Sequence, residues 1–413
     1  MKKIVLGVFL AVLVNLASAG TPLSVAVYPG LDEAVRIAIP LYRKLHPEVE
    51  IQLVSLGYKA HHEAMIMALV EGKGLPDVMG VSSDRIGRLA ESGWLENLLP
   101  PPYNAGQYSG LFHKAVYPVS KPNILAAMQV SVSAMTLVYR EDLLRKAGLG
   151  EKDLTASWES CIKAGKQIKA ATGACLVPDV AEIADLYSRA QASEQQGIYW
   201  KDLLHGCPLT DINSPRFKKA FELALSARQA GIDCKLSLDS NEWREKLQGD
   251  GVAALLISAQ RFSRSESALS LNGHGRWQVA QLPGKSFVRA GGDFYAIPAK
   301  AQHKAEAWDF MKFLTLNAGI QTEWARRTGA FPALLEAQTP ELMSQPIDAL
   351  GGLAARKVWQ TSLKNVKPHP FENYEATGDE IIRMELNKVL EGSKTIPDAL
   401  KDAELQLRPR CRR

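Results

Sequence analysis

The chain has 413 residues, 46% hydrophobic, 23% charged and 7% aromatic, a globular balance too long for one ordinary core. Two domains of roughly 100–200 residues are expected. The formal net charge of +5 is small for this length, and Lys2 and Lys3 contribute to it, so nothing in the charge argues for nucleic acid.

Lys2 and Lys3 precede an apolar run from Ile4 to Leu16 and then Ala17-Ser18-Ala19, the pattern of a cleavable secretory signal cut after Ala19. The run is shorter than the roughly 20 residues a bilayer span needs. No Cys lies just after it to take a lipid anchor, so a free periplasmic protein is expected. Export permits disulfides, and the chain has 5 Cys, an odd number. Cys207 and Cys234 bracket one predicted helix and form the candidate pair. Cys411, in a basic tail, is the expected leftover.

A strand is predicted from Leu23 to Tyr28, a helix from Leu31 to Leu45 with Ile37, Ala38, Leu41 and Leu45 on its apolar face, and a second strand from Val49 to Leu53. This is a parallel unit, whose ligand side is the loop after the first strand, with Tyr28 and Asp32. A helix from Ala60 to Glu71 precedes a third strand ending at Val81. Ser83 and Asp84 then serve either as helix caps or as ligand contacts.

His61-His62-Glu63 lacks the histidine spacing of a zinc protease and reads as a solvated helix face. From Gln129 to Leu149 a strand, marked by Val130, Val132, Leu137 and Val138, breaks into a charged helix near Glu141 that stops at Gly148 and Gly150. Ser157 caps a helix that Gly173 ends before a strand at Leu176. Asn213-Ser214-Pro215 opens another helix, which stops at Gly231. An apolar strand runs from Val252 to Ile257 and ends at Ser258, Ala259 and Gln260. Trp243 before it either covers the core or faces a cleft, whereas Trp308 and Trp324 read as core.

Several of these segments resemble one family in order along the chain. The strand ending in Tyr139-Arg140 with a helix closing on Lys146-Ala147-Gly148-Leu149, the Leu75-Pro76-Asp77-Val78 step, the helix opened by Asn213-Ser214-Pro215, and above all Trp277 to Gly284 followed by Gly291-Gly292 and the Ala307-Trp308 helix are similar to family-1 extracellular solute-binding proteins of ABC importers, the group that includes maltose-binding protein. The resemblance implies a type II periplasmic binding protein fold of class α/β. It has two lobes, each a mostly parallel sheet flanked by helices, joined by about three crossings near Val130, Phe287 and Pro332. Lobe one would be 20–129 plus 287–332, and lobe two 130–286 plus 333–413.

The resemblance further implies a monomer that captures a small carbohydrate between the lobes and delivers it to membrane permease subunits, with no cofactor, no metal and no catalysis. Sugars suit a cleft of carboxylates, hydroxyls and aromatic planes. The expected ligand set is Tyr28, Asp32, Tyr58, Ser83, Asp84, Ser131, Trp200, Trp243, Ser258, Gly291, Gly292, Asp293 and Tyr374. Glycerol phosphate is an alternative served by Arg261, Arg327 and Lys59, and a polyamine or amino sugar one served by Asp84 and Asp293. A secreted glycoside-acting enzyme survives only as dispersed carboxylates, since Gly-x-Ser-x-Gly and Gly-x-x-x-x-Gly-Lys are absent.

Overall fold

The computed structural model describes residues 20–114, 123–192, 197–199, 211–236, 240–259, 261–262, 277–350, 352–369 and 375–408. Trp200, Cys207, Gln260, Tyr374 and Cys411 lie outside them.

Two sheets form the frame. The first has the order β2-β1-β3-β9-β4, with β1 Thr21–Val27, β2 Val49–Ser55, β3 Val78–Ser82, β4 Met128–Gln129 and β9 Asp293–Ala296. β1 runs parallel to β2 and β3, and β9 is antiparallel to β3 and β4. The helix Leu31–Leu45 buries Ala34, Val35, Ala38 and Tyr42, whereas Leu41 and Leu45, expected on the apolar face, are exposed. Continuous burial of β3 on both faces is what a covered parallel sheet demands.

The second sheet has the order β6-β5-β7, from β5 Ser133–Arg140, β6 Ala254–Ser258 and β7 Trp277–Ala280, with β8 Arg289–Gly291 also paired to β5. Here β5 is antiparallel to every strand it pairs with, so this sheet is mixed rather than mostly parallel. Parallel character appears only beyond β6, where the bridges Cys175–Val252 and Val177–Asp233 replace the strand expected at Leu176.

Helices cover the second sheet. Ser157 caps Trp158–Thr172 by accepting from the Ser160 N–H, and Gly173 ends it in the left-handed conformation. Trp158, Trp243, Trp308 and Trp324 are all buried, which assigns Trp243 to the core.

Three segments pass between the sheets side by side. One joins β4 to β5 through Val130, Ser131 and Val132. A second is Phe331 to Ala333: the Val132 N–H donates to the Phe331 carbonyl at 3.0 Å and the Ala333 N–H to the Val130 carbonyl at 2.9 Å. The third is Gly292, between β8 and β9; strand pairing changes sheet there rather than at Phe287. Asp293 locks this junction. Its buried carboxylate accepts from the Tyr28 hydroxyl at 2.7 Å and the Ser131 hydroxyl at 2.8 Å, and its carbonyl accepts from the Val130 N–H at 2.8 Å.

Cys234 is bonded to Cys175, not to Cys207. The Cys234 N–H donates to the Val177 carbonyl at 3.0 Å, so the strand-like bridge at Val177 lays the two backbones together with a Cα–Cα distance of 5.4 Å. Cysteines bracketing a helix lack that alignment.

The bond closes a loop with a sequence separation of 59, for which chain entropy alone gives about 4 kcal/mol. Cys175→Ser should therefore lose about 2–4 kcal/mol in denaturant unfolding, and peptide mapping of the oxidised protein should join Cys175 to Cys234. At the crossing, Tyr28→Phe removes one donor to a buried carboxylate, and the same measurement should show a loss of about 1–3 kcal/mol.

Candidate functional site

The C-terminal ends of β1 and β3 are where ligand chemistry is expected on a parallel sheet. Tyr28 follows β1, Tyr58 opens the helix Tyr58–Glu71, and Ser83 and Asp84 open the helix Ser83–Glu91. The Tyr58 hydroxyl lies 2.8 Å from both Ser82 Oγ and Asp84 Oδ1, and the Ser82 hydroxyl also bonds Asp84.

His61 and His62, one turn on, are buried rather than solvated. Their helix exposes Met67 and Val70 instead, an inversion that polarity alone does not reveal. His61 Nε2 sits 2.8 Å from the Gly80 carbonyl, and His62 Nδ1 sits 2.8 Å from the Tyr58 carbonyl, so both nitrogens are donors. His62 Nε2, left as the acceptor, lies 3.1 Å from Ser82 Oγ, whose single proton can go either to it or to Asp84. Burial keeps both rings neutral, pushing His61 down to about 4 and His62 below its ordinary value.

The expected ligand residues divide by position. Ser83, Asp84 and Gly291 line one cavity. Gly291 has φ +114°, and a Cβ there would lie 2.7 Å from Ser83 Oγ, so glycine lets the two sheets approach. Gly292 accepts at its carbonyl from the Ser83 N–H at 2.9 Å. Tyr28, Ser131 and Asp293 are buried behind the cavity in the junction. Asp32 turns away, accepting from the Ser55 hydroxyl and the Gly30 N–H, each at 2.9 Å. Ser258 is buried and accepts from the Arg261 N–H at 3.3 Å.

The cavity has a volume of about 310 Å³. Opposite Ser83 and Asp84 it is walled by the helix Ala181–Ala190, presenting Glu182, Asp185 and Arg189, and by the helix Glu375–Leu390, presenting Glu375, Asp379 and Arg383. Arg261 and Arg289 complete its charged lining. Arg189 ties the two helices: its guanidinium meets Asp185 at 2.7 Å and Glu375 at 2.6 Å, and also bonds Asp379.

Tyr199 donates to Asp379 and packs on Gly378, where a Cβ would collide with its ring. Burial lifts Asp379 up to about 6 against the pull of Arg189, and lifts Glu182 up to about 7 against that of Arg261. Burial acts to raise Glu375 too, but Arg189 and Arg289 outweigh it and hold that carboxyl below its ordinary value. Glu182 Oε2 is solvent-excluded and has no hydrogen-bond partner among the described residues.

Sequence reasoning missed this charged set apart from Arg261. Glu182, Asp185 and Arg189 recur on one helical face opposite the buried Ile183 and Ala184, a pattern that normally means a solvated surface. Among the described residues no cluster of His, Cys, Asp or Glu is arranged to hold a metal.

The family model for bacterial extracellular solute-binding proteins matches residues 41–350. The chain belongs to that family. Extracellular solute-binding proteins similar to it include a lactose-binding protein of Rhizobium radiobacter, 28% identical over 58% of this chain and 56% of that protein, and an arabinooligosaccharide-binding protein of Bacillus subtilis (strain 168), 24% identical over 38% of this chain and 36% of that one. The chain thus spans about half or less of the length of these curated relatives.

Solved structures share its two-lobed α/β fold. A family-1 extracellular solute-binding protein superposes with a TM-score of 0.81 at 19% identity, covering 95% of this chain and 100% of the other. The sugar-binding protein MalE of Xanthomonas citri does so at 0.76 and 20%, covering 95% and 97%.

Glu182 also marks stability. With its carboxyl raised from 4.5 to about 7, the unfolded chain releases the proton first as pH rises, so folding weakens across that window and levels off above it. Glu182→Gln should abolish this component: relative to the parent, thermal midpoints should be similar near pH 4.5 and higher at pH 8, by roughly 1–3 kcal/mol in unfolding free energy.

Proposed function

We propose that the mature chain is the periplasmic substrate-binding component of an ABC importer, capturing a small carbohydrate between its lobes without altering it and delivering it to the membrane permease. The carrying observation is the cavity of about 310 Å³ walled by Ser83, Asp84 and Gly291 on one side and by Glu182 and the Arg189 cluster on the other. Carboxylates and guanidinium groups alternating around a small space match the donors and acceptors of sugar hydroxyls. The lactose- and arabinooligosaccharide-binding relatives and a Bifidobacterium animalis subsp. lactis relative solved with β-1,6-galactobiose support the same ligand class.

In this reading lobe one is built on the first sheet and lobe two on the second, with the chain crossing near Val130, Gly292 and Pro332, and the signal is removed after Ala19. The protein acts as a monomer, and cavity occupancy is coupled to lobe closure and so to permease docking. Of the residues that would serve a phosphate, Arg261 lines the cavity, whereas Arg327 pairs with Glu33 and Glu323, and Lys59 with Glu63.

Thermal-shift measurements on ligand-stripped mature protein should show a raised midpoint with lactose, arabinose oligosaccharides or β-1,6-galactobiose, equivalent to about 2.7 kcal/mol at a hundredfold excess over the dissociation constant. The sugar should be recovered intact by chromatography. A shift with glycerol phosphate or spermidine alone, or a cleaved glycoside, overturns the proposal.

A further inference from the structure

Behind the cavity wall that carries Ser83 and Asp84 runs a chain of hydrogen bonds whose direction is not fixed by its atoms. The Tyr58 hydroxyl lies 2.8 Å from both Ser82 Oγ and Asp84 Oδ1, Ser82 Oγ lies 3.1 Å from His62 Nε2, and the Ser82 hydroxyl also reaches Asp84. Tyr58 and Ser82 bring one hydroxyl proton each, so the way these are shared decides how much accepting capacity Asp84 Oδ1 keeps. The other oxygen, Oδ2, accepts from Arg85 at 3.1 Å. Asp84 lines the cavity, whereas Ser82 and His62 are buried behind it.

His62 sets the direction. Its Nδ1 is committed to the Tyr58 carbonyl at 2.8 Å, so Nε2 is the atom that gains or loses a proton. With the ring neutral, Ser82 donates to Nε2 and Tyr58 donates to Ser82, which leaves Asp84 Oδ1 open toward the cavity. Once Nε2 takes a proton from solvent it donates to Ser82 Oγ instead. The Ser82 proton then turns to Asp84, and Oδ1 is occupied from within the protein.

Resting on the carbohydrate reading, we propose that His62 is a positioning residue of the binding site, acting through Ser82, and that its protonation reverses this chain, closes Asp84 to a ligand hydroxyl and weakens capture in acid.

The surroundings confine the switch to mild acid. Facing His62 are Tyr58 on its own helix, Asp84 and Arg85 on the helix Ser83–Glu91, Asp293 on β9, and the rings of His61 and Tyr28. Burial holds the His62 imidazole below its ordinary value although Asp84 and Asp293 pull it upward. His61, pushed down to about 4, stays neutral through most of that window, and burial lifts the Tyr58 hydroxyl far above its ordinary value, so it remains a donor. A sugar hydroxyl donating to Asp84 competes with the reversed chain and so prefers neutral His62. Binding in mild acid therefore expels a proton from His62, and affinity falls as pH drops below about 6.5.

The test is calorimetric titration of the mature protein, His62→Gln and Ser82→Ala with lactose, β-1,6-galactobiose and arabinose oligosaccharides at pH 7.5, 6.0 and 5.0. Imidazole NMR of the free and sugar-saturated parent accompanies it. Parent affinity for the best sugar should fall about tenfold from pH 7.5 to 5.0. The His62 resonance, assigned by its absence from His62→Gln, should titrate at lower pH in the saturated protein than in the free one. His62→Gln, folded by its circular dichroism, should bind no better than the parent at pH 7.5 yet hold its affinity into acid. It should then bind several-fold more tightly than the parent at pH 5.0, a gain that lost packing does not produce. Ser82→Ala, which severs the chain, should flatten the profile in the same way.

A flat parent profile, a His62→Gln profile that tracks the parent's, or a His62 resonance that titrates alike with and without sugar overturns the inference and leaves the carbohydrate reading intact. Failure of every sugar to bind at all three pH values sinks the carbohydrate reading and this inference with it.

Discussion

The buried carboxylate of Asp293 accepts from Tyr28 of the first sheet and from Ser131 of the segment leading to the second, while its own carbonyl holds the Val130 N–H. A buried charge is tolerable only when hydrogen-bonded in this way, and the requirement fixes geometry as well as energy. Because Asp293 directly follows Gly292, locking it also fixes where Gly291 passes Ser83. The shape of the Ser83–Gly291 wall is therefore set by a side chain that does not line the cavity.

A second constraint works on the far wall. The helices Ala181–Ala190 and Glu375–Leu390 are distant in sequence and are drawn together by Arg189, which has acidic partners on both. Arg189 is largely buried while Asp185 and Asp379 are partly exposed, so the cluster ties the two helices at the cavity edge. Tyr199 adds a packed ring against Gly378, where only a glycine allows the contact. Glu182, one turn before Asp185 on the same helix, has no share in this network among the described residues.

Local rules make the first parallel unit readable: the helix Leu31–Leu45 begins after Pro29-Gly30 and ends at His46 where expected. The junction near Gln129 is legible for the same reason, since alternation gives way to helical spacing at Glu141. What sequence does not show is pairing at long range. Cys234 meets Cys175 because of a backbone bridge at Val177, and no spacing rule contains that bridge. Gly291-Gly292-Asp293 reads as a ligand loop because two glycines permit close approach. The structure uses that freedom partly to pass Ser83 and points the carboxylate into the junction. Glu182, Asp185 and Arg189 look like a solvated face until the helix Glu375–Leu390 closes over them.

If the cavity takes a ligand as proposed, one that touches both walls bonds to both lobes, whereas in an opened molecule it keeps only one set of contacts. Its binding energy therefore separates into a part that merely holds it and a part that favours closure, and only the second shifts the conformational balance. Asp84 already meets the Tyr58 hydroxyl and the Arg85 guanidinium, so part of its capacity is used before any ligand arrives. The far wall is likewise paired within itself, since Arg189 already holds Asp185, Glu375 and Asp379, so on either side a ligand competes with bonds the protein has made.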